Sequence, residues 1–198
     1  MGLILLYYLD LERRSPMLFL IIFLACVFAA LGAGVLGAWS DFQGLKISNI
    51  YTVVVLITFC VAYASIWLSG ADHVFFPILS HLLAAVIVFG VTAVMFSFGA
   101  LGAADSKLGT AFALWVGIPG LPIFLFWMAL MGGVLGVAAL VFKKLKPITA
   151  PKENSWIAQV QGGQSKVPYG IAIAFGGIVS FAIVGYLNVN NLSLLLMP

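Results

Sequence analysis

The chain reads as an all-α integral membrane protein, a bundle of six transmembrane helices with its N-terminus outside. Three observations give that reading. Of 198 residues, 64% are hydrophobic and only 8% are charged, against roughly 25% charged in soluble domains. Five uncharged runs reach the length of about 20 residues that an apolar helix needs to cross a bilayer. Threaded in order together with a shorter sixth run, Leu108 to Ile118, they put all seven lysines on one side of the membrane.

The elements follow in order. Residues 1–16, MGLILLYYLDLERRSP, pair a short apolar run with mixed charge. A secretory signal carries its positive charge before the apolar run, so this is not one. Either Met17 is the natural start or residues 1–16 lie at the outer interface. Met17 to Trp39 is a clean span, followed by Ile50 to Ser69, Ile78 to Ala100, Leu121 to Phe142 and Val167 to Leu187. Leu108 to Ile118 is shorter and closes at the turn signal Pro119-Gly120; it counts as a short or tilted span. The expected organisation is an N-terminal extension at 1–16, a single six-helix domain at 17–187 and a short C-terminal tail at 188–198.

Charge fixes the expected orientation. With the N-terminus outside, the inner loops 40–49, 101–107 and 143–166 hold Lys46, Lys107, Lys143, Lys144, Lys146, Lys152 and Lys166, while the outer side keeps Arg13 and Arg14. Seven against two is a positive-inside bias, and it is scrambled if Leu108 to Ile118 does not cross. Basic clusters beside spans therefore read as topology, not as a nucleic-acid site. Lys143-Lys144-Leu145-Lys146 is expected at anionic headgroups, and Trp156 is expected to dip into the interface.

Cys26 and Cys60 lie in apolar runs outside any C-x-x-C pair and read as small hydrophobes. His73 and His81 fall on the outer side and make no metal site. Gly132-Gly133-Val134-Leu135-Gly136 and the pair Ala33 and Gly37 read as close helix packing; a dimer face is the sharper alternative, which leaves a homo-oligomer open.

Two of the six acidic residues carry chemistry. Asp41 and Asp105 both fall at the cytoplasmic boundary of this topology. A carboxylate beside lipid is costly unless paired or used. Taken alone, Asp41 is a solvated turn residue and Asp105 a helix N-cap. Taken together, with Lys46 and Lys107 behind them, they are a candidate pair sharing one proton.

The surrounding residues resemble the type IV prepilin peptidases, the aspartic membrane proteases that include preflagellin peptidases. Asp41 with Lys46-Ile47-Ser48-Asn49 stands where that family has its first aspartate and the segment ending I-P-N. Gly102-Ala103-Ala104-Asp105-Ser106-Lys107 matches G-x-G-D-x-K, and Val167-Pro168-Tyr169-Gly170 matches the segment opening the last helix. Ala104 replaces a glycine and Ser48 a proline. The length resembles the short, cleavage-only type of tight-adherence (Flp) pilus systems.

The resemblance implies a hydrolase of the bacterial inner membrane, without cofactor, in type IV pilus assembly and protein secretion. Asp41 and Asp105 are then catalytic, with Lys46, Asn49, Gly102, Lys107, Pro168 and Tyr169 supporting or touching substrate. The partner is a pilin-like precursor, with a polar leader and one apolar helix, cut after a glycine. The rival readings are a pilus-assembly scaffold without catalysis and a small proton-coupled transporter.

Overall fold

Seven helices and no strand form among the described residues of the computed structural model, which are 2–70 and 75–194, with side chains from Pro16 to Ser193. His73, residues 195–198 of the expected tail, and the side chains of Arg13 and Arg14 lie outside them. α1 (Gly2–Gly44) runs through the expected start at Met17 and carries Pro16 inside it. α2 (Asn49–Ser69) is capped by the Ser48 hydroxyl, which accepts from the Ile50 N–H at 3.4 Å, and ends at Gly70 with φ 73°. α3 (Ile78–Ser97) follows Pro77. α4 (Ala103–Leu145), α5 (Trp156–Gln161), α6 (Tyr169–Val184) and α7 (Val189–Leu194) complete the chain. Among the described residues four helices are long and apolar enough to cross a membrane: α1 from Pro16, α2, α3 and α4; α6 is a shorter apolar helix. The protein is an all-helical, multi-pass membrane protein.

α4 is not one rod. A straight helix of 43 residues reaches about 65 Å at 1.5 Å per residue, twice the roughly 30 Å of hydrocarbon in a bilayer. Gly117 breaks it with φ 61° and ψ −179°, a conformation essentially confined to glycine. The break falls two residues before the expected Pro119-Gly120 turn. Packing shows that the chain folds back there. In the first arm Gly109 faces Ile173, Phe112 faces Gly177, and Trp115 meets Phe181, so this arm runs parallel to α6. In the second arm Gly120 faces Val184, Phe124 and Met128 face Gly176, and Gly132 faces Tyr169, so this arm runs antiparallel to α6. The two arms form a hairpin around α6, with the Phe112 and Phe124 rings stacked at 6.4 Å.

A broken helix inside a membrane must find new partners for its freed backbone groups. Ile118 N–H would have donated to Leu114 in an unbroken helix. Instead it donates to Ser80 Oγ at 3.0 Å, and Leu114 O takes the His81 ring at 2.7 Å. Pro119 has no N–H to offer Trp115 O, so the Tyr186 hydroxyl supplies one at 2.7 Å. Adjacent residues at the start of α3 and one after α6 thus stitch the break. His81 is fully buried for this reason, its Nδ1 carrying the proton and its Nε2 without a partner among the described residues. Tyr186→Phe leaves Trp115 O unpaired in a buried site, at a cost of about 1–3 kcal/mol. We expect a lower thermal midpoint in detergent, read by size exclusion after heating; melting with the wild type would remove the hydroxyl from this role.

The core lies where α1, α2, α3, α6 and both arms of α4 meet. Trp115, Phe112, Phe124, Phe181, Phe23 and Tyr186 are fully buried there. Lipid chains are as apolar as these side chains, so packing and hydrogen bonds hold the helices together instead of water exclusion. Trp115 donates to Val55 O of α2 at 2.9 Å and meets the rings of Phe59, Phe75, Phe181 and Tyr186. Phe112 is gripped between Gly34 of α1 and Gly177 of α6, where an added Cβ would come within 2.7 Å of its ring. Gly177→Ala overpacks this grip and is expected to cost about 1–3 kcal/mol, read as a drop in the same thermal midpoint. The G-x-x-x-G run divides: Gly132 packs on Tyr169, while Gly133 and Gly136 face open space.

A second, small core closes the loop after α4. Trp156, Val160 and Ala139 pack with Phe42, Phe142 and Val167. Trp156 is 2% exposed and donates to Lys166 O at 2.8 Å. It does not dip into the interface as expected, because Phe42 and Phe142 cover its ring and the loop itself accepts its N–H. The loop is thereby pinned against the end of α1 that carries Asp41.

Candidate active site

Asp41 sits in the last turn of α1, only 5% exposed. Its Oδ2 accepts from the Gly170 N–H at 2.8 Å. That N–H belongs to the first turn of α6, where backbone donors have no helical partner and the helix dipole is positive. Asp41 therefore caps a different helix from across the bundle. The approach requires a bare backbone: a Cβ on Gly170 would lie 3.1 Å from both Cβ and Oδ2 of Asp41 and 3.0 Å from Ile47. Pro168, buried at the N-cap of α6, delivers this turn.

Asp105 is arranged in the same way at the start of α4. It is the third residue of the helix and not its N-cap; Gly102 holds that place. Asp105 Oδ2 accepts from the Gly102 N–H at 3.2 Å. A Cβ on Gly102 would come within 2.6 Å of that oxygen, so this glycine too is needed for close approach. Each carboxylate is thus held through Oδ2 by one helix-start N–H, and Oδ1 of each takes no hydrogen bond from a described residue.

Both aspartates line one cavity of about 470 Å³ with Leu45, residues 99–102, Ser165, Lys166, Val167 and Tyr169. The lining comes from three connections: the end of α1, the entry into α4 and the entry into α6. The hairpin at Gly117 is what lets the segments before and after α4 reach the same cavity.

The other residues singled out in the sequence distribute around it. Gly102 and Tyr169 line the cavity. Lys107 points away and donates to Asn49 Oδ1 at 3.3 Å, joining the starts of α4 and α2. Lys46 is exposed and outside the lining, its carbonyl accepting from Ser40 Oγ. Ala104 is half-buried and also outside the lining, so its methyl does not narrow the cavity. Ser48 replaces a rigid turn with a side-chain cap. Among the described residues no three His, Cys, Asp or Glu side chains converge as a metal site.

Two residues escaped the sequence reading. Gly170 was visible only as the end of a motif, and its contact with Asp41 spans 129 positions. Lys166 counted only toward topology, yet it brings a cation to the cavity, its carbonyl fixed by Trp156 and its neighbour Ser165 by Lys143 at 3.0 Å.

Comparison with known proteins gives one match. The profile of the type IV leader peptidase family matches residues 28–137, more than half of the chain, and that stretch includes both Asp41 and Asp105. No curated protein and no solved structure matches the chain significantly. The chain belongs to the type IV leader peptidase family.

Proposed function

We propose that the chain is a membrane aspartic endopeptidase that removes the leader from type IV pilin-like precursors at the cytoplasmic face of the bacterial inner membrane. One observation carries this reading: two buried or half-buried carboxylates, each anchored by a helix-start N–H, line the same cavity in a member of a peptidase family. Six crossings follow if each arm of α4 counts as one. The connections after the first, third and fifth crossings then share a side, and these are the segments that line the cavity. The lysine bias makes that side cytoplasmic.

In the mechanism, two neighbouring carboxyl groups hold one proton between them. The ionised one removes a proton from water. The water oxygen bonds to the scissile carbonyl carbon while the protonated carboxyl donates to the carbonyl oxygen. Collapse breaks the C–N bond, and the proton gained from water passes to the leaving amine. Asp41 and Asp105 fill these roles as a pair. Gly102, Gly170 and Pro168 hold them, Tyr169 lines the substrate side, and Lys107 with Asn49 fixes the start of α4. Lys46 is assigned to the headgroup region.

A scaffold or a transporter finds no specific support. His81, buried within a span, is engaged with the helix break and lies apart from the cavity. The proposal predicts that Gly170→Ala displaces the Asp41 carboxylate and lowers kcat by about 10-fold or more, since small misplacements at a reacting centre cost that much or more. Cleavage of a pilin-like precursor reconstituted with the purified variant measures it. Wild-type kcat in a folded Gly170→Ala would remove this contact from the mechanism.

A further inference from the structure

A second, smaller cavity of about 140 Å³ shares Leu101, Asp105 and Tyr169 with the first, and its character is the opposite. Val91 and Met95 of α3 and Leu125 and Met128 of the returning arm of α4 wall it with hydrocarbon. The Thr92 hydroxyl in its wall is already engaged with Val88 O and Ser106 Oγ, both at 2.7 Å. Val91 is 57% exposed and Met95 38%, on the outer surface of the bundle, so the slot faces lipid on one side and Asp105 on the other. A dry cavity of about 150 Å³ accommodates one benzene ring. This slot therefore holds a single large side chain and is far too small for a helix.

Resting on the peptidase reading, we propose that the slot seats one large apolar side chain of the substrate helix, on the helix side of the bond to be cut, and so sets the position of cleavage. The two cavities offer two media that meet at Asp105: a polar chamber with Ser165 and Lys166 for the leader, and a dry slot for the helix. An apolar helix in lipid slides along its axis with little to fix it, because one lipid-facing residue resembles the next. A side chain keyed into a slot of fixed volume removes that freedom and brings one peptide bond to the carboxylates.

The test uses purified full-length protein in lipid nanodiscs and a pilin-like precursor in which the first apolar residues of the helix are replaced by alanine one at a time. For the wild type, one position is expected at which alanine lowers kcat/KM by about 10-fold or more, the range for deleted methylenes in an apolar pocket. Val91→Trp fills the slot and is expected to abolish that preference, cutting the alanine precursor at least as fast as the parent one. Ile183→Trp, on the lipid face of α6 outside the slot, is expected to keep it. Met95→Ala enlarges the slot and shifts the preference to a larger side chain, which carries the same test if Val91→Trp does not fold. A wild type indifferent to every alanine, or a Val91→Trp that keeps the preference, overturns the slot while leaving the peptidase intact. A wild type that cuts no precursor overturns the peptidase reading and the slot with it.

Discussion

Asp41→Asn and Asp105→Asn are each expected to lower kcat for precursor cleavage by about 100- to 10,000-fold, the contribution of a positioned acid or base. The change is chosen to spare the fold. An asparagine oxygen still accepts from Gly170 N–H at position 41 and from Gly102 N–H at position 105, so each anchoring bond survives. What is lost is the ability to take or give a proton. Because the two carboxyls act as one unit, the double variant is expected to be no slower than the worse single one. Single-turnover cleavage in nanodiscs measures this, with thermal midpoints within a few degrees of wild type as the control. Losses that multiply in the double variant would mean that the two groups act separately.

Gly117→Ala carries the largest expected effect on stability. The φ of 61° with ψ near 180° is almost closed to a residue with a Cβ. The added Cβ would also lie 3.3 Å from the Phe76 ring, and 3.2 Å from Ser80 Oγ and 3.4 Å from His81 Nδ1, two of the groups that stitch the break. Backbone strain of about 1–3 kcal/mol adds to crowding against residues that cannot withdraw without freeing Ile118 N–H and Leu114 O. The variant is expected to accumulate poorly and to melt well below wild type in fluorescence-detected size exclusion. Gly133→Ala, with open space around it, is the control and is expected to match wild type. If both melt alike, the hairpin does not depend on Gly117.

What was legible in the sequence was whatever an apolar run and a motif can encode. The fold class and five long runs follow from composition, and helices cover all five, with most ends shifted by a few residues and α1 running back past Met17 to Gly2. The short run before Pro119-Gly120 pointed to a reversal near there. Its position at Gly117 was hidden because a glycine's dihedral angles leave no trace in hydropathy, while prolines announce themselves. The partners of the break were hidden too: Ser80, His81 and Tyr186 are unremarkable polar residues until Pro119 is seen to deprive Trp115 O of its donor. Trp156 misled because aromatic residues at membrane proteins' loops usually seek headgroups, and only the neighbouring Phe42 and Phe142 in space redirect it. At the candidate site, charge scarcity drew attention to Asp41 and Asp105, and the topology argument put them at one boundary. The contact of Asp41 with Gly170 and the presence of Lys166 depend on α6 lying between the two arms of α4, which no local pattern contains.

The most direct measurement is mass spectrometry of one pilin-like precursor after incubation with purified wild type, Asp41→Asn and Asp105→Asn in nanodiscs. The account predicts a single new N-terminus where the polar leader meets the apolar helix, formed by wild type and absent with either variant. An intact precursor with wild type, or the same product from either folded variant, would contradict it.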